Sequence, residues 1–150
     1  MPHSASVIRD TYPVPANYFT VEIDGETIPF QSVDGLNHEI PKITYRDGMR
    51  GYFQMPGLYE PPEITLTRGV FRGDKRLLDW FHTVNFNEVE KKDVVINLTD
   101  PSGENIIMSW SVENAFPLSY SSPSLNGSNS DVATITVTLA CDRIKVSVVN

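Results

Sequence analysis

Apolar and polar residues alternate along much of the chain, and this pattern predicts β-strands that bury one face. Phe19, Val21 and Ile23 are separated by polar residues in the first such run. Asp24 and Gly25 follow, and a pair of this kind readily adopts the positive φ angles of a tight hairpin turn. The chain is therefore predicted to turn here and to return as a second strand over residues 28–33.

Further runs alternate in the same way and predict additional strands. They cover residues 39–46, 64–69, 94–98, 106–112 and 133–141. The sequence Pro101-Ser102-Gly103 lies between two of these runs and has the composition of a hairpin turn. A polar loop is expected over residues 119–130.

The apolar positions change phase near the end of the chain. They are odd-numbered up to Cys141 and even-numbered from Ile144 onwards. A strand with a period of two cannot change face without an irregularity. A bulge or a corner is therefore predicted near Asp142 and Arg143.

One segment has helical spacing instead. Leu77, Leu78, Phe81 and Val84 recur at intervals of three or four residues, and Asp74 stands where an N-cap is expected. Such a stripe is more often core than a cofactor pocket, so we predict a helix packed on a sheet. The elements together predict a mainly β protein, an antiparallel β-sandwich or barrel-like protomer with one flanking α-helix.

The chain length of 150 residues fits a single domain, residues 1–150, with one hydrophobic core. Residues 1–16 contain three prolines and little periodicity, so an extended arm is expected there. No stretch approaches the roughly 20 continuous apolar residues of a membrane span. Residues 1–20 lack the charged start and apolar middle of a signal peptide, so we expect synthesis in the cytoplasm.

Net charge and reactive groups argue against an enzyme or a nucleic-acid-binding protein. The formal net charge is -7, whereas nucleic-acid binding needs Lys and Arg concentrated on one face. His3, His38 and His82 lack metal-binding spacing, and no G-x-S-x-G elbow presents a serine. Cys141 is the sole cysteine and is expected to be a small buried residue. We predict no catalytic residue, no metal ligand and no cofactor.

Residues 47–62 combine glycines and prolines with unusual apolar content. The glycines and prolines predict an irregular segment. A solvated loop has little reason to carry several large apolar side chains, and an exposed apolar patch usually marks a contact surface. The side chains concerned are Tyr52, Phe53, Met55, Leu58 and Tyr59.

The predicted strands have polar faces with almost no charge. Long uncharged strands are an aggregation hazard unless their edges are paired, and closing a barrel within or between chains removes those edges. Periodicity alone does not distinguish such a barrel from an ordinary β-sandwich with a Thr-rich outer face, and the two are equally compatible with it. The uncharged positions are Thr65, Thr67, Asn97, Thr99, Ser109, Ser111, Thr134, Thr136 and Thr138.

A collinear series of short motifs resembles one known family. The motifs are FTVEIDG at 19–25, FQSVDGL at 30–36, YRDG at 45–48, MPG at 55–57, ITLTRGV at 64–70, DW at 79–80 and WSVENAFP at 110–117. Each motif is weak alone, but their order is specific and spans most of the chain. The sequence is similar to the inner-tube proteins of contractile phage tails and related extracellular contractile injection systems.

The resemblance implies a structural subunit whose function depends on assembly. Six copies would form a ring whose inner strands close a large β-barrel around a lumen, and rings would stack into a tube that carries payload on sheath contraction. The implied partners are a sheath protein, a baseplate or spike and tube-terminating proteins. The protein would end in a phage tail or a released injection particle. Met55 and Lys91-Lys92 depart from the pattern of many relatives and favour the injection particle. Such particles can also encode tube paralogues that form the junction with the baseplate, and the sequence is compatible with either the main tube subunit or such an adaptor.

Two sets of site residues follow from the resemblance. Residues 47–62 become the loop that contacts the adjacent ring, and the uncharged strand faces become candidates for the lumen wall, namely the Thr, Ser and Asn positions given above. The expected inter-ring contacts are Tyr45, Arg46, Asp47, Gly48, Tyr52, Phe53, Met55, Pro56, Gly57, Leu58 and Tyr59.

The main alternative is a monomeric β-sandwich that binds a ligand such as a carbohydrate. Tyr52, Phe53 and Tyr59 would then form a platform on which a sugar ring stacks. The shortage of charge on the strand faces favours the tube subunit, because a monomer tolerates such faces poorly.

Overall fold

A computed structural model describes residues 15–84, 88–122, 125–128 and 132–149. These residues form antiparallel strands and one helix. The elements are β1 (Phe19–Ile23), β2 (Glu26–Ile28), β3 (Ser32–Asp34), β4 (Lys42–Asp47), β5 (Gly51–Pro56), β6 (Ile64–Gly69), α1 (Arg76–His82), β7 (Lys92–Thr99), β8 (Ile106–Ser121), β9 (Thr134–Ala140) and β10 (Arg143–Val148). The predicted arm, residues 1–16, lies almost entirely outside the described residues.

Two sheets share the long strand β8. The first sheet has the order β2-β1-β7-β8-β10 and uses the first half of β8. The second sheet has the order β8-β9-β6-β3 and uses residues from Phe116 onwards. The chain is therefore a sandwich whose layers are joined through one continuous strand, as the predicted fold class requires.

A corner in β8 moves the strand from one sheet to the other. Asn114 adopts a positive φ of 55°, and its backbone N–H donates to the Asp93 carboxylate at 3.0 Å. The pairing register with β9 then shifts between Pro117 and Ser119. A bulge of this kind bends a strand, and here it gives each half of β8 different neighbours.

The hydrophobic core lies between the two sheets and against the helix. The inward residues of β1, β7 and β8 face those of β6 and β9, and each strand alternates as its sequence predicts. The buried apolar side chains are Val21, Ile23, Ile28, Ile64, Leu66, Leu77, Trp80, Val94, Ile96, Val112, Ala115, Val137, Leu139 and Ile144.

The helix closes one side of this core. Leu77 and Trp80 are buried, and the Trp80 indole N–H donates to the Glu90 carbonyl at 2.7 Å. The predicted N-cap is wrong, because Lys75 occupies the cap position and makes no side-chain cap hydrogen bond. The Asp74 carboxylate instead pairs with two arginines.

Two predicted elements differ from the structure in a simple way. The second strand, predicted over residues 28–33, is divided into β2 and β3, which belong to different sheets. Pro29 lies at the division and has no N–H for a sheet hydrogen bond. The predicted polar loop starts later than expected, because β8 continues through Ser121.

The predicted corner near Asp142 is confirmed. β9 ends at Ala140 and pairs with β6 and β8, whereas β10 begins at Arg143 and pairs with the first half of β8. Cys141, at the junction, is half-buried, and desolvation raises the pKa of its thiol. The phase change in the sequence therefore marks the point where the chain moves between sheets.

Candidate assembly surfaces

A hairpin of β4 and β5 stands apart from the two main sheets. It forms its own two-stranded sheet, and nearly every one of its residues is exposed. The prediction of an irregular segment over residues 47–62 is therefore wrong for Gly51–Pro56, which are regular strand. An isolated two-stranded hairpin is only marginally stable in water, so this one is suited to being covered by a partner.

The tip of the hairpin is organised by one carboxylate. Asp47 accepts hydrogen bonds from the backbone N–H groups of Met49 and Arg50 and from the Tyr45 hydroxyl. The bond from Arg50 is the main reason that the pKa of Asp47 lies below its usual value. Gly51 supplies a φ of +95° where the chain re-enters the strand. The tip therefore has a defined shape although it is exposed.

The hairpin has one apolar face and one polar face. Ile43 pairs with Met55 and Tyr45 pairs with Phe53, and all four side chains are about half exposed. The opposite face carries Thr44, Gln54, Arg46 and Tyr52. On that face the Arg46 guanidinium lies 4.9 Å from the centre of the Tyr52 ring, and Gln54 donates to the Tyr52 hydroxyl at 2.8 Å.

The base of the hairpin is tightly closed. The Gly57 N–H donates to the Pro41 carbonyl at 2.6 Å, and a Cβ on Gly57 would stand 3.0 Å from that oxygen. The Tyr59 ring packs 5.0 Å from the His38 ring, and its hydroxyl is buried without a hydrogen-bond partner among the described residues. Leu58, by contrast, is almost fully exposed.

The predicted inter-ring residues thus fall into two groups. Those from Tyr45 to Pro56 lie together on the hairpin, whereas Gly57, Leu58 and Tyr59 form the chain that leaves it. The predicted sugar platform is wrong. Tyr52 and Phe53 are consecutive in β5 and point to opposite faces, while Tyr59 packs on His38. No single face presents all three rings.

The outer face of the second sheet carries a belt of hydroxyl side chains. Strand register places these side chains in two rows that cross four strands, and Asp34 is their only charged member. The hydroxyl oxygens of Thr67 and Thr136 lie 3.4 Å apart. The rows are Ser32, Thr67, Thr136 and Ser121, and Asp34, Thr65, Thr138 and Ser119. Thr134, opposite Gly69, lies on the same face.

The remaining predicted lumen residues belong to the first sheet, on the other side of the core. Asn97 and Thr99 are only 5% and 3% exposed, and their side chains bond to Thr20 and to the Tyr18 carbonyl. Both side chains are therefore covered within the subunit. Ser109 and Ser111 are half-buried on the same outer face, which also carries charged groups such as Lys145 and Glu113.

The second sheet is open at both edges. Among the described strands, β3 pairs only with β6, and the second half of β8 pairs only with β9. Unpaired strand edges expose rows of N–H and C=O groups that pair readily with another chain. The sheet that carries the hydroxyl belt can therefore continue into neighbouring copies.

A buried ion pair, which sequence patterns did not predict, supports this sheet from the core side. Arg68 of β6 donates to Asp74 at 2.9 Å, and its guanidinium lies 5.0 Å from the centre of the Phe71 ring. Asp74 also pairs with Arg76, which reaches Glu26 of β2. The hydrogen bond from the Arg76 side chain is the main reason that the pKa of Asp74 lies far below its usual range.

In the part of the chain that the structure describes, no group of three or more His, Cys, Asp or Glu side chains could hold a metal ion. Within the same residues, no helix is both long enough and apolar enough to cross a bilayer.

Comparisons with known proteins converge on one kind of assembly. A model of the T4-like virus tail tube protein gp19 family matches residues 15–145. A chain from the PVC sheath-tube complex, an extracellular contractile injection system in the extended state, is 42% identical. The match covers 99% of this chain and 100% of that one, with a TM-score of 0.93.

Two other solved structures are similar over most of their length. A chain of the PVC sheath/tube terminator is 43% identical, with a TM-score of 0.87 and coverage of 91% and 97%. A chain of the anti-feeding prophage tube terminating cap is 40% identical, with a TM-score of 0.89 and 93% coverage of both. Among curated protein sequences, none matches the chain.

Proposed function

Because the chain belongs to the T4-like virus tail tube protein family, we propose that six copies form a ring and that rings stack into the inner tube of a contractile injection particle. The protein is a tail tube subunit, with a structural rather than an enzymatic role. Its described residues form the mainly β, antiparallel protomer that such a tube requires. We propose both the number of six copies in a ring and the direction that each sheet faces in the tube.

The hydroxyl belt is the observation that carries the proposal. A conduit must let its payload pass without binding it tightly, and short uncharged side chains leave space and offer no fixed charge. Apart from Asp34 in β3, the second sheet presents such a face, and both of its edges are open among the described strands. Pairing β3 of one copy with the second half of β8 of the next would close these edges into a barrel. Thr65, Thr67, Thr134, Thr136 and Thr138 would then face the lumen.

The first sheet would form the outer wall of the tube. Its outer face carries charges and two buried polar residues, Asn97 and Thr99, so we leave these two out of the proposed lumen. Ser109 and Ser111 would face outwards with them. The exposed β4–β5 hairpin would supply the contact between rings through the residues from Tyr45 to Pro56.

The proposed binding partners are those found with similar chains in related particles. The similar chains come from a PVC sheath-tube complex, a PVC sheath/tube terminator and an anti-feeding prophage cap. We extend these contacts to this chain and propose a surrounding sheath, a baseplate or spike at one end and a terminating cap at the other. Synthesis in the cytoplasm and assembly there into the particle complete the proposal.

The test is the assembly state of the purified protein. Negative-stain electron microscopy and light scattering after size exclusion should detect rings and stacked tubes with a central channel. A stable monomer at high protein concentration, or an oligomer without a channel, would contradict the proposal. Adding the cognate sheath protein should give sheathed tubes, whereas the sheath protein alone provides the control.

A further inference from the structure

The inner face of the first sheet is covered unevenly. Strand register divides its apolar side chains into three parallel rows across β1, β7, β8 and β10. The first row is completely buried and consists of Ile23, Val94, Val112 and Ile144. In the next two rows, Val146 and Val148 are 41% and 67% exposed, although they face the same side as the core.

Members of these two rows in β1, β7 and β8 line part of an open apolar groove, which does not extend to Val146 and Val148. The groove has a volume of about 640 Å³ and lies between the first sheet and the segment that contains β3. Asn17, Gln31 and Ser32 add polar groups, but no charged side chain lines it. Its main apolar walls are Phe19, Val33, Leu36, Ile96, Leu98 and Trp110.

Among the described residues, the apolar face of the β4–β5 hairpin is an exposed apolar surface that suits such a groove. Ile43, Tyr45, Phe53 and Met55 form that face, and each is about half exposed because no other described element covers it. Both surfaces would lose unfavourable contact with water if they met. In the structure, the hairpin does not cover the groove of its own chain.

Charge favours the same pairing. The hairpin, residues 42–56, carries three basic residues, Lys42, Arg46 and Arg50, and a single acidic one, Asp47. The two segments that supply the groove, residues 15–41 and 96–112, carry seven acidic residues and no Lys or Arg. The hairpin therefore carries net positive charge and these two segments carry net negative charge, so long-range attraction favours their encounter.

We propose that the β4–β5 hairpin of one subunit docks, through its apolar face, into this groove of a second copy of the chain. The inference rests on the proposed stacking of rings and names the surface that receives the hairpin. The two surfaces are different parts of one chain, so the contact is heterologous. A heterologous contact that does not close on itself propagates without limit, as a growing stack requires.

Disulfide trapping between the two surfaces tests this docking. In a Cys141→Ala background, Leu36→Cys in the groove is combined in turn with Tyr45→Cys, Phe53→Cys or Met55→Cys. The matched controls combine Leu36→Cys with Thr44→Cys or Gln54→Cys, on the opposite face of the same hairpin. Because a disulfide forms only when the two Cβ atoms lie within about 4.5 Å, oxidation distinguishes the two faces.

The expected result is a ladder of dimers and larger species on non-reducing gels for at least one apolar-face pair. The opposite-face pairs and all single-cysteine variants should lack the ladder. Tubes that form normally but give no ladder from any apolar-face pair would overturn the docking while leaving the tube function intact. Equal ladders from both faces would overturn it as well. Failure to form rings or tubes at all would instead contradict the proposed function.

Another occupant would give a different result. If residues 1–14 of the same chain filled the groove, the ladder would be missing from the full chain and would appear only after their deletion. That outcome would overturn the proposal. Under the proposed docking, the ladder forms in the full chain and weakens as salt concentration rises, because the surrounding charges are exposed.

Discussion

The guanidinium of Arg68, which is only 3% exposed, donates a hydrogen bond to the Asp74 carboxylate at 2.9 Å. This pair joins the end of β6 to the segment that precedes the helix. A buried arginine without a carboxylate is costly, because water no longer solvates its charge. The pair therefore holds the helix against the sheet that carries the hydroxyl belt.

Asp74→Asn should destabilise the subunit by about 2 kcal/mol, the typical contribution of a hydrogen bond to a charged group. The substitution also leaves the charge of Arg68 buried without a carboxylate. Urea denaturation followed by circular dichroism, at one protein concentration, measures the change. Glu26→Gln is the control, because it removes only the exposed end of the same network, where Glu26 meets Arg76. Equal losses of stability in both variants would show that burial of Arg68 is not the cause.

The folding stability of the subunit should depend on pH through the Asp74 carboxylate. The pKa of Asp74 is lowered in the folded protein from its ordinary value of 3.8, so the unfolded chain binds the proton first as the pH falls. The stabilisation is complete above about pH 4 and is lost as the pH falls towards the pKa of the folded state. The melting temperatures of the natural chain and of Asp74→Asn should therefore approach each other as the pH is lowered. A constant gap between them at all pH values would contradict this assignment.

Gly35 should tolerate no side chain. Its φ is +94°, and an added Cβ would overlap the Glu63 carbonyl oxygen, beside β6. Gly25 has a similar φ of +81° but open space around it. Gly25→Ala should cost about 1–2 kcal/mol for the left-handed backbone alone, and Gly35→Ala should cost clearly more. Denaturation curves that rank the two variants the other way would exclude a steric role for this glycine.

Stacking should depend on one face of the hairpin. Phe53→Asp places a charge among the apolar side chains and is expected to abolish tubes while the subunit stays folded, because the hairpin is outside the core. Gln54→Asp places the same charge on the opposite face and should leave tubes intact. Electron microscopy counts the tubes, and circular dichroism checks the fold. Loss of tubes in both variants would mean that charge, not the apolar face, is responsible.

Chemical labelling should identify the sheet that lines the lumen. In a Cys141→Ala background, Thr136→Cys marks the hydroxyl belt and Ser111→Cys marks the outer face of the first sheet. Both parent side chains are half-buried. In assembled tubes, a small maleimide should label both, whereas a large polyethylene-glycol maleimide should label only Ser111→Cys. The reverse pattern would place the first sheet at the lumen.

Much of the candidate site was accessible from the sequence, but its geometry was not. Alternation identified which residues of each strand share a face, so the Thr positions of β6 and β9 were predicted correctly to point away from the core. Asn97 and Thr99 follow the same alternation, yet neighbouring groups cover them. Alternation describes one strand at a time and contains no information about what lies across it.

The sequence by itself determined most of the strands, the helix, the turn at Asp24-Gly25 and the change of phase near Asp142, because each depends on neighbouring residues. It did not show β5 or the division of the second predicted strand at Pro29. Only the tertiary structure decided that β8 bends at Asn114 to serve two sheets and that Arg68 meets Asp74. It also separated the predicted uncharged faces onto opposite sides of the core. These features depend on pairing between distant segments, and the energy of such pairing comes from packing that no local pattern records.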